Sequence, residues 1–566
     1  MRQPIHRHGA VLGIVLFLAF SSLHAQTPPA SAVASAHPLA TRAGVEILDA
    51  GGNAFDAAIA VTAALAVVEP TGSGLGGGGF WLLHRSRDAH DVMIDGRERA
   101  PLAATRDMYL DDKGEVVPRL SVDGPLAAAI PGTAAALDHL ANAYGRLPLA
   151  TSLAPAIRLA GEGFPVDEHY LRMARFRLEA LRQSPAAAAI FLQDNEVPQT
   201  GHVIRQPDLA RTLEAIATRG AAGFYQGPVA RRLVAGVREA GGIWTLEDLQ
   251  QYRVVEREPI TGAYRGMKIV SAAPPSSGGI ALLTMLNILA NYELEALPTA
   301  TRKHLIVEAM RRAYRDRAEY LGDPDFVDIP VTRLIHPYYG AGLSQSIRLD
   351  RATPSRSLPG FTIVSAGADT THFSILDSEG NRVAATLSIN FPFGAAFVPP
   401  GSGVLLNDEM DDFSAKPGTP NVYGLVGAAS NAIAPGKRPL SSMSPTFVEA
   451  PGRGVAILGT PGGSRIITMV LLGILDFAQG NGPRSWVATG RFHHQYLPDT
   501  ITYEPGALDP DEIATLKRLG HRLKARGRPY GNMQAILWDQ GKNRVAAASD
   551  PRGNGLATVI PARPAQ

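Results

Sequence analysis

Cysteine is absent from the 566 residues. That one absence excludes disulfides, thiolate metal sites and a cysteine nucleophile together. An excess of one charge sign is lacking too: 54 Lys and Arg face 52 Asp and Glu, for a formal net charge of +2. Nothing in that balance calls for nucleic acid or an anionic membrane as partner. Beyond the N-terminus no apolar run is long enough to span a bilayer. No G-x-S-x-G elbow occurs. The scattered histidines, His493 and His494 among them, lack ligand partners at metal spacing, so structural roles are expected and no metal or organic cofactor is called for.

What is present is ordinary globular material, 45% hydrophobic and 19% charged. The length suggests about three or four domains, or one large two-layer fold with insertions. The 58 Gly and 43 Pro are scattered and mark turns. At the start, Arg2, His6, Arg7 and His8 precede an apolar run from Ala10 to Phe20 and a small-residue site at Leu23-His24-Ala25. That is the pattern of a secretory signal over residues 1–25, too short for a spanning helix, with an uncleaved anchor as the alternative. Residues 26–34 read as a loose leader.

Gly44 to Val68 has helical periodicity interrupted at Gly51-Gly52-Asn53. The run Gly72-Ser73-Gly74-Leu75-Gly76-Gly77 matches G-x-G-x-x-G, but a helix precedes it and a strand follows, the reverse of a dinucleotide site. Strands are expected at Phe80–His84, Asp91–Ile94 and Tyr264–Val270, and an amphipathic helix at Arg302–Leu321. Arg351–Asp369 is Ser-, Pro- and Gly-rich and reads as an exposed loop. It ends abruptly at a strand, Thr371–Leu376, that turns at 377–381 and returns as Val383–Ile389. A flexible segment ending at a strand is a natural processing site.

The register of that hairpin sets Thr370 opposite Ser388 or Ile389. A threonine freed at its amino end carries nucleophile and base in one residue. Its Oγ attacks and its α-amine, with an unperturbed pKa of about 7.7–8.0, takes the proton. Taken alone, the pair also reads as two hydroxyls in a strand ladder.

Longer motifs carry a more specific signal. Thr370-Thr371-His372-Phe373-Ser374, Asn390, Gly394 and the run Leu406 to Phe413 come first. Pro420 to Gly427, Lys437 to Pro445, Gly459 to Arg465 and Arg491 to Gln495 follow. Upstream stand Gly51-Gly52-Asn53-Ala54, the glycine run, Asp95 to Pro101 and Tyr320 to Phe326. In these the chain resembles the γ-glutamyltranspeptidases over nearly everything after the signal.

The resemblance implies an α+β fold of the N-terminal nucleophile hydrolase kind, a four-layer αββα sandwich formed jointly by two subunits. Autocleavage between Asp369 and Thr370 would give a large subunit, 26–369, and a small one, 370–566, that stay together as a heterodimer. It implies Thr370 as nucleophile with Ser388 beside it, and Gly462 and Gly463 as oxyanion donors ahead of a helix at Ile466–Phe477 that Ser464 could cap. For the substrate, Arg97 has the planar fork that suits an α-carboxylate, with Ser441 and Ser442 adding hydroxyls. Glu409 and Asp412 would accept from the α-ammonium, Asn390 would add a polar contact, and Tyr423 lies in a lid-like segment, 417–437. Read without the family, Arg97 could equally serve a salt bridge with Glu98 or Asp95, 408–412 is a solvated acidic loop, and Ser441-Ser442 is a turn. Three positions depart from the common pattern: Ser388 where threonine is frequent, Glu409 where many bacterial members carry glutamine, and Phe391-Pro392 where small polar residues are common.

The expected activity is γ-glutamyl transfer and glutathione hydrolysis, periplasmic or secreted. The substrates are small molecules: glutathione and other γ-glutamyl compounds, with water, amino acids or peptides as acceptors. Two rivals stand beside it, a cephalosporin (glutaryl-side-chain) acylase of the same family and a non-catalytic binding protein for γ-glutamyl peptides.

Overall fold

A computed structural model describes residues 27–358, 370–416, 419, 421, 424–425 and 427–561. The signal segment, Asp369 and Tyr423 lie outside the described residues.

Two antiparallel sheets organise the molecule. Thirteen strands build them: β1 (Ala30–Ser35), β2 (Gly78–Arg85), β3 (His90–Gly96), β4 (Val255–Arg257), β5 (Ile260–Tyr264), β6 (Met267–Ser271), β7 (Thr371–Leu376), β8 (Arg382–Ser388), β9 (Thr446–Ala450), β10 (Gly454–Gly459), β11 (Gln534–Asp539), β12 (Arg544–Ser549) and β13 (Leu556–Pro561). The first sheet runs β13-β1-β7-β8-β2-β3-β4, the second β12-β11-β10-β9-β6-β5. Both interleave distant parts of the chain. In the first, ladders β13/β1, β1/β7 and β8/β2 each join a strand from before residue 370 to one from after it. In the second, β9/β6 does the same.

Side-chain alternation assigns the faces. Val33, Trp81, Leu83, Phe373, Ile375, Val383 and Ala385 share one apolar cluster with helices α1 (Pro38–Asp49), α2 (Ala54–Val68) and α3 (Thr133–Ala143). Ala32, Ala34, Phe80, Leu82, Leu376 and Ala384 point the other way. They join Phe447, Val448, Ile457 and Ile536 of the second sheet, and α4 (Gly278–Leu289), α5 (Thr299–Tyr320) and α6 (Ile466–Ala478) belong to that same cluster. Helix α2 is buried at every residue, which is why it is apolar all round instead of amphipathic. Asn53 and Asp56 close its start as a capping box, so the Gly51-Gly52-Asn53 interruption is a true break between α1 and α2.

The face of β7 that meets the second sheet is polar. His372 Nδ1 lies 2.8 Å from Thr386 Oγ1, and Ser374 Oγ donates to the Gln534 carbonyl. Gly459 makes room for the imidazole: a Cβ there would sit 2.2 Å from the His372 ring.

The ladder pairs Leu376 with Arg382 and Thr371 with Leu387, so Thr370 faces Ser388 in continuation. Other expectations need correction. The leader is not loose after residue 29, because β1 lies between β13 and β7. Tyr264–Val270 is not one strand: Arg265 and Gly266, both at positive φ, fold it into the β5–β6 hairpin. Ser464 does not cap α6, since a 3₁₀ turn over Gly463–Arg465 intervenes and its hydroxyl donates to Gln495 Oε1. Of the loop before Thr370, residues 355–357 form a 3₁₀ turn, and 359–369 lie outside the described residues. No helix among the described residues is long and apolar enough to cross a membrane.

Candidate active site

Antiparallel pairing brings the start of β7, the end of β8, the start of β2 and the end of β3 to one edge of the first sheet. Thr370, Ser388 and Arg97 stand at three of those ends. A cleft with about 300 Å³ of open space lies there, lined by Thr370, Ser388, Asn390, Arg97, Asp412, Ser441, Ser442 and Gly463, with Leu425 and Met443. So one cavity wall gathers residues spread from 97 to 463. Glu409 lies behind it, wholly buried, and Gly462 immediately precedes the lining Gly463.

Thr370 is nearly buried at 6% exposure. Its carbonyl is crowded by Gly72, where a Cβ would approach it to 3.2 Å, and the neighbouring Thr371 hydroxyl donates to Glu69 at 2.6 Å. The backbone at the start of β7 is thereby held against the 69–72 segment. The Ser388 Oγ accepts from the Asn390 amide at 2.8 Å, which leaves its proton to donate. Asn390 is at φ 72, a left-handed conformation that asparagine tolerates better than most residues. Its side chain donates to the Asp408 carbonyl at 2.9 Å, so its carboxamide is fixed.

Gly462 and Gly463 are both at positive φ, 145° and 55°. A Cβ on Gly462 would also lie 2.5 Å from Met469 Cε. Glycine is required there on conformation and on space. The turn places Gly463 in the cleft wall, at the start of the 3₁₀ turn that leads into α6.

The opposite end is densely charged. Arg97 reaches Glu409 Oε2 at 2.7 Å and Asp412 Oδ2 at 2.5 Å, and its Nε donates to the Pro439 carbonyl. Glu98 sits 3.7 Å away, beyond hydrogen-bond length, and is fully buried. Three carboxylates thus compete for one guanidinium in a desolvated site. Arg97 is held firmly charged despite its burial, mainly by Glu409 and then Asp412. Burial pushes Glu98 up to about 8, and burial with the neighbouring acids raises Glu409 well above the usual carboxylate range. The nearby Ser388 hydroxyl works against that rise. A further cation placed beside these acids would offset part of that cost.

The serines are supported from behind. Arg317 of α5 donates to Ser442 Oγ at 3.3 Å and to Ser277 Oγ at 3.0 Å, and Ser277 donates to the Ser441 carbonyl. Arg317, Ser277 and Glu98 escaped the sequence reading as parts of the site. Arg317 sits on a helix whose apolar spacing drew attention away from its charges, and Glu98 appeared as a plain salt-bridge partner.

The architecture is that of enzymes of the N-terminal nucleophile class. A cephalosporin acylase from Bacillus halodurans superposes with a TM-score of 0.83 at 29% identity, covering 96% of this chain and 99% of that one. A Helicobacter pylori γ-glutamyltranspeptidase chain superposes at 0.57 with 42% identity, over 58% of this chain and 94% of that one. The family model for γ-glutamyltranspeptidase matches residues 40–560. Curated relatives named glutathione hydrolase proenzyme are 42% identical in Pseudomonas sp. (strain A14), over 97% of this chain and 98% of theirs, and 42% identical in Escherichia coli (strain K12), over 92% and 90%. The chain belongs to the γ-glutamyltranspeptidase family.

Proposed function

We propose that the protein is a γ-glutamyltransferase and glutathione hydrolase, made as a proenzyme that cuts itself between Asp369 and Thr370. The observation that carries the reading is the single cleft lined by Thr370, Ser388, Gly463, Arg97, Asp412, Ser441 and Ser442. One end suits acyl chemistry and the other suits an α-amino acid head. The proenzyme names of the relatives support the processing step.

In the proposed reaction the freed Thr370 α-amine takes the Oγ proton as Oγ attacks the γ-glutamyl amide carbonyl. The Gly462 and Gly463 amides receive the oxyanion. The amine then returns the proton to the departing nitrogen, leaving a γ-glutamyl ester on Thr370. Water or an amine resolves it. Arg97 with Ser441 and Ser442 binds the α-carboxylate, Glu409 and Asp412 bind the α-ammonium, and Asn390 orients the chain. The two products of cleavage, 26–369 and 370–566, remain a heterodimer in which both contribute strands to a four-layer αββα sandwich. A signal at residues 1–25 would direct the protein to the periplasm or outside the cell.

The acylase likeness favours a second reading, in which the acyl group is a glutaryl chain without an ammonium. The carboxylates Glu409 and Asp412 argue against it, because a glutaryl chain would bring them no cation beyond the Arg97 they share. N-terminal sequencing of the purified protein tests processing: a fragment beginning Thr-Thr-His-Phe is expected, and an intact chain with full activity would refute it. Comparing γ-glutamyl and glutaryl anilides tests the substrate: γ-glutamyl is expected to win, and a strong glutaryl preference would replace this assignment with the acylase.

A further inference from the structure

Ser464 and Leu425 both stand in the cleft wall. One buried side chain that takes no part in the proposed reaction, Gln495, reaches to both places. Ser464 Oγ donates to its Oε1 at 2.8 Å. Its Nε2 donates to the carbonyl of Gly424, the residue before Leu425, at 3.0 Å. A third partner is His493, whose Nε2 lies 2.9 Å from the same Oε1. The carboxamide therefore uses both acceptor positions and one of its two donors.

These partners allow the amide one orientation. A backbone carbonyl can only accept, so the amide nitrogen must face Gly424 and the oxygen must face Ser464 and His493. His493 Nε2 then carries the ring hydrogen. Its Nδ1, 2.9 Å from Thr468 Oγ1 near the start of α6, is left to accept. Burial holds that imidazole neutral, its pKa well below the usual histidine range. Each end of the contact leads on to a working part of the cleft. Ser464 belongs to the 3₁₀ turn Gly463–Arg465. The Tyr314 hydroxyl of α5 donates to the Ser464 carbonyl, and the Arg465 amide donates to the Gly462 carbonyl at 3.1 Å. The turn is thus tied through its backbone by Tyr314 and through its side chain by Gln495. At the other end, the Leu425 amide donates to Asn421 Oδ1 at 3.1 Å, and Asn421 Nδ2 donates to Asp412 Oδ1 at 3.0 Å.

We infer that Gln495 is a positioning residue that sets two walls of the cleft against each other: through Ser464 it fixes the turn bearing Gly462 and Gly463, and through Gly424 it fixes the wall at Leu425. The inference rests on the γ-glutamyltransferase reading above, in which that turn receives the oxyanion. Gln495 touches no reacting atom, and its effect is geometric. An oxyanion donor works only within about 2.7–3.1 Å of the oxygen it stabilises, so a turn free to shift by a few tenths of an ångström loses rate without losing substrate. The Gly424 contact acts on the other quantity. It steadies Leu425 and, by way of Asn421, the carboxylate of Asp412, so its loss weakens donor binding.

The test uses the processed protein and γ-glutamyl-p-nitroanilide at pH 8.5, with kcat expressed per cleaved chain. Ser464→Ala removes the contact to the turn alone. Gln495→Met keeps the length of the side chain and removes both contacts. Each is expected to lower kcat about tenfold, and the double variant should also lie about tenfold below the wild type, because both changes delete one shared restraint. Gln495→Glu, nearly the same shape, still accepts from Ser464 but when ionised has nothing to donate to Gly424. The donor KM should rise about fivefold in Gln495→Met and Gln495→Glu and stay within about twofold in Ser464→Ala, while kcat of Gln495→Glu stays within about twofold. The proposal is overturned if Ser464→Ala keeps its kcat within about twofold, if the double variant loses about a hundredfold, or if the KM holds in whichever Gln495 variants accumulate as processed protein. If the wild-type protein leaves the anilide intact, the functional reading beneath falls instead.

Discussion

The two ends of the cleft are built on opposite physical plans. The end proposed for the reaction carries few charges: hydroxyls at Thr370 and Ser388, the glycine pair at 462–463, and a strand start held by Gly72 and the Glu69 carboxylate. The recognition end is ionic: Arg97 against Glu409 and Asp412, with Glu98 behind. An end with few charges can change its protonation as bonds form and break at little electrostatic cost. An ionic end discriminates, because any ligand lacking either charge leaves a desolvated partner uncompensated.

That contrast can be broken at its strongest point first. Thr370→Ala removes nucleophile and proton acceptor together, so turnover of γ-glutamyl-p-nitroanilide should fall by more than about 10⁴-fold, and a denaturing gel should show one undivided chain. Normal splitting in that variant would contradict the assignment. Arg97→Lys keeps the charge but loses the fork, and the donor KM should rise about 100-fold with kcat much less affected. If kcat falls and KM holds, the ionic end takes part in chemistry and the division of labour is wrong. Ser388→Ala deletes one hydroxyl between the two ends. A loss of about tenfold in kcat is expected, on the scale of one hydrogen bond, and Ser388→Thr should stay near the wild-type rate.

The smallest effect is a pH dependence of stability. Glu98 has its pKa raised from 4.5 to about 8 on folding, with burial the chief cause. The folded state therefore holds that proton more tightly than the unfolded state. The resulting stabilisation is present below pH 4.5 and is lost as pH rises through about 8. Glu98→Gln should melt close to the wild type at pH 5 and higher at pH 9, by about 3 °C or more. Equal melting temperatures at pH 9 would mean that Arg97 compensates the ionised Glu98 in full.

Much of the reaction end was legible in the sequence. The hairpin register followed from a short turn between two strands and set Thr370 opposite Ser388 or Ile389, between which the ladder selects Ser388. The paired glycines ahead of an apolar helix were visible for the same local reason, although the intervening 3₁₀ turn was not. The ionic end was legible only through resemblance. Arg97, Asp412 and Ser441 meet across hundreds of residues, and no local period encodes that meeting. The acidic run at 408–412 has the composition of a solvated loop, yet Asp408 and Glu409 are buried. Strand β1 was missed because six small residues, Ala30–Ser35, carry little strand propensity; their place between β13 and β7 comes from tertiary pairing.

The interleaved sheets bear on how such a protein can be made. Strand β1 has both its neighbours in the residues after 370, and β8 takes one of its own from the residues before. Translated as two separate messages, each half would expose long unsatisfied ladder edges, the condition under which chains clump instead of finding each other. A single precursor removes that hazard by delivering both sets of strands at once, so any scission belongs after assembly, when the pieces are already woven together.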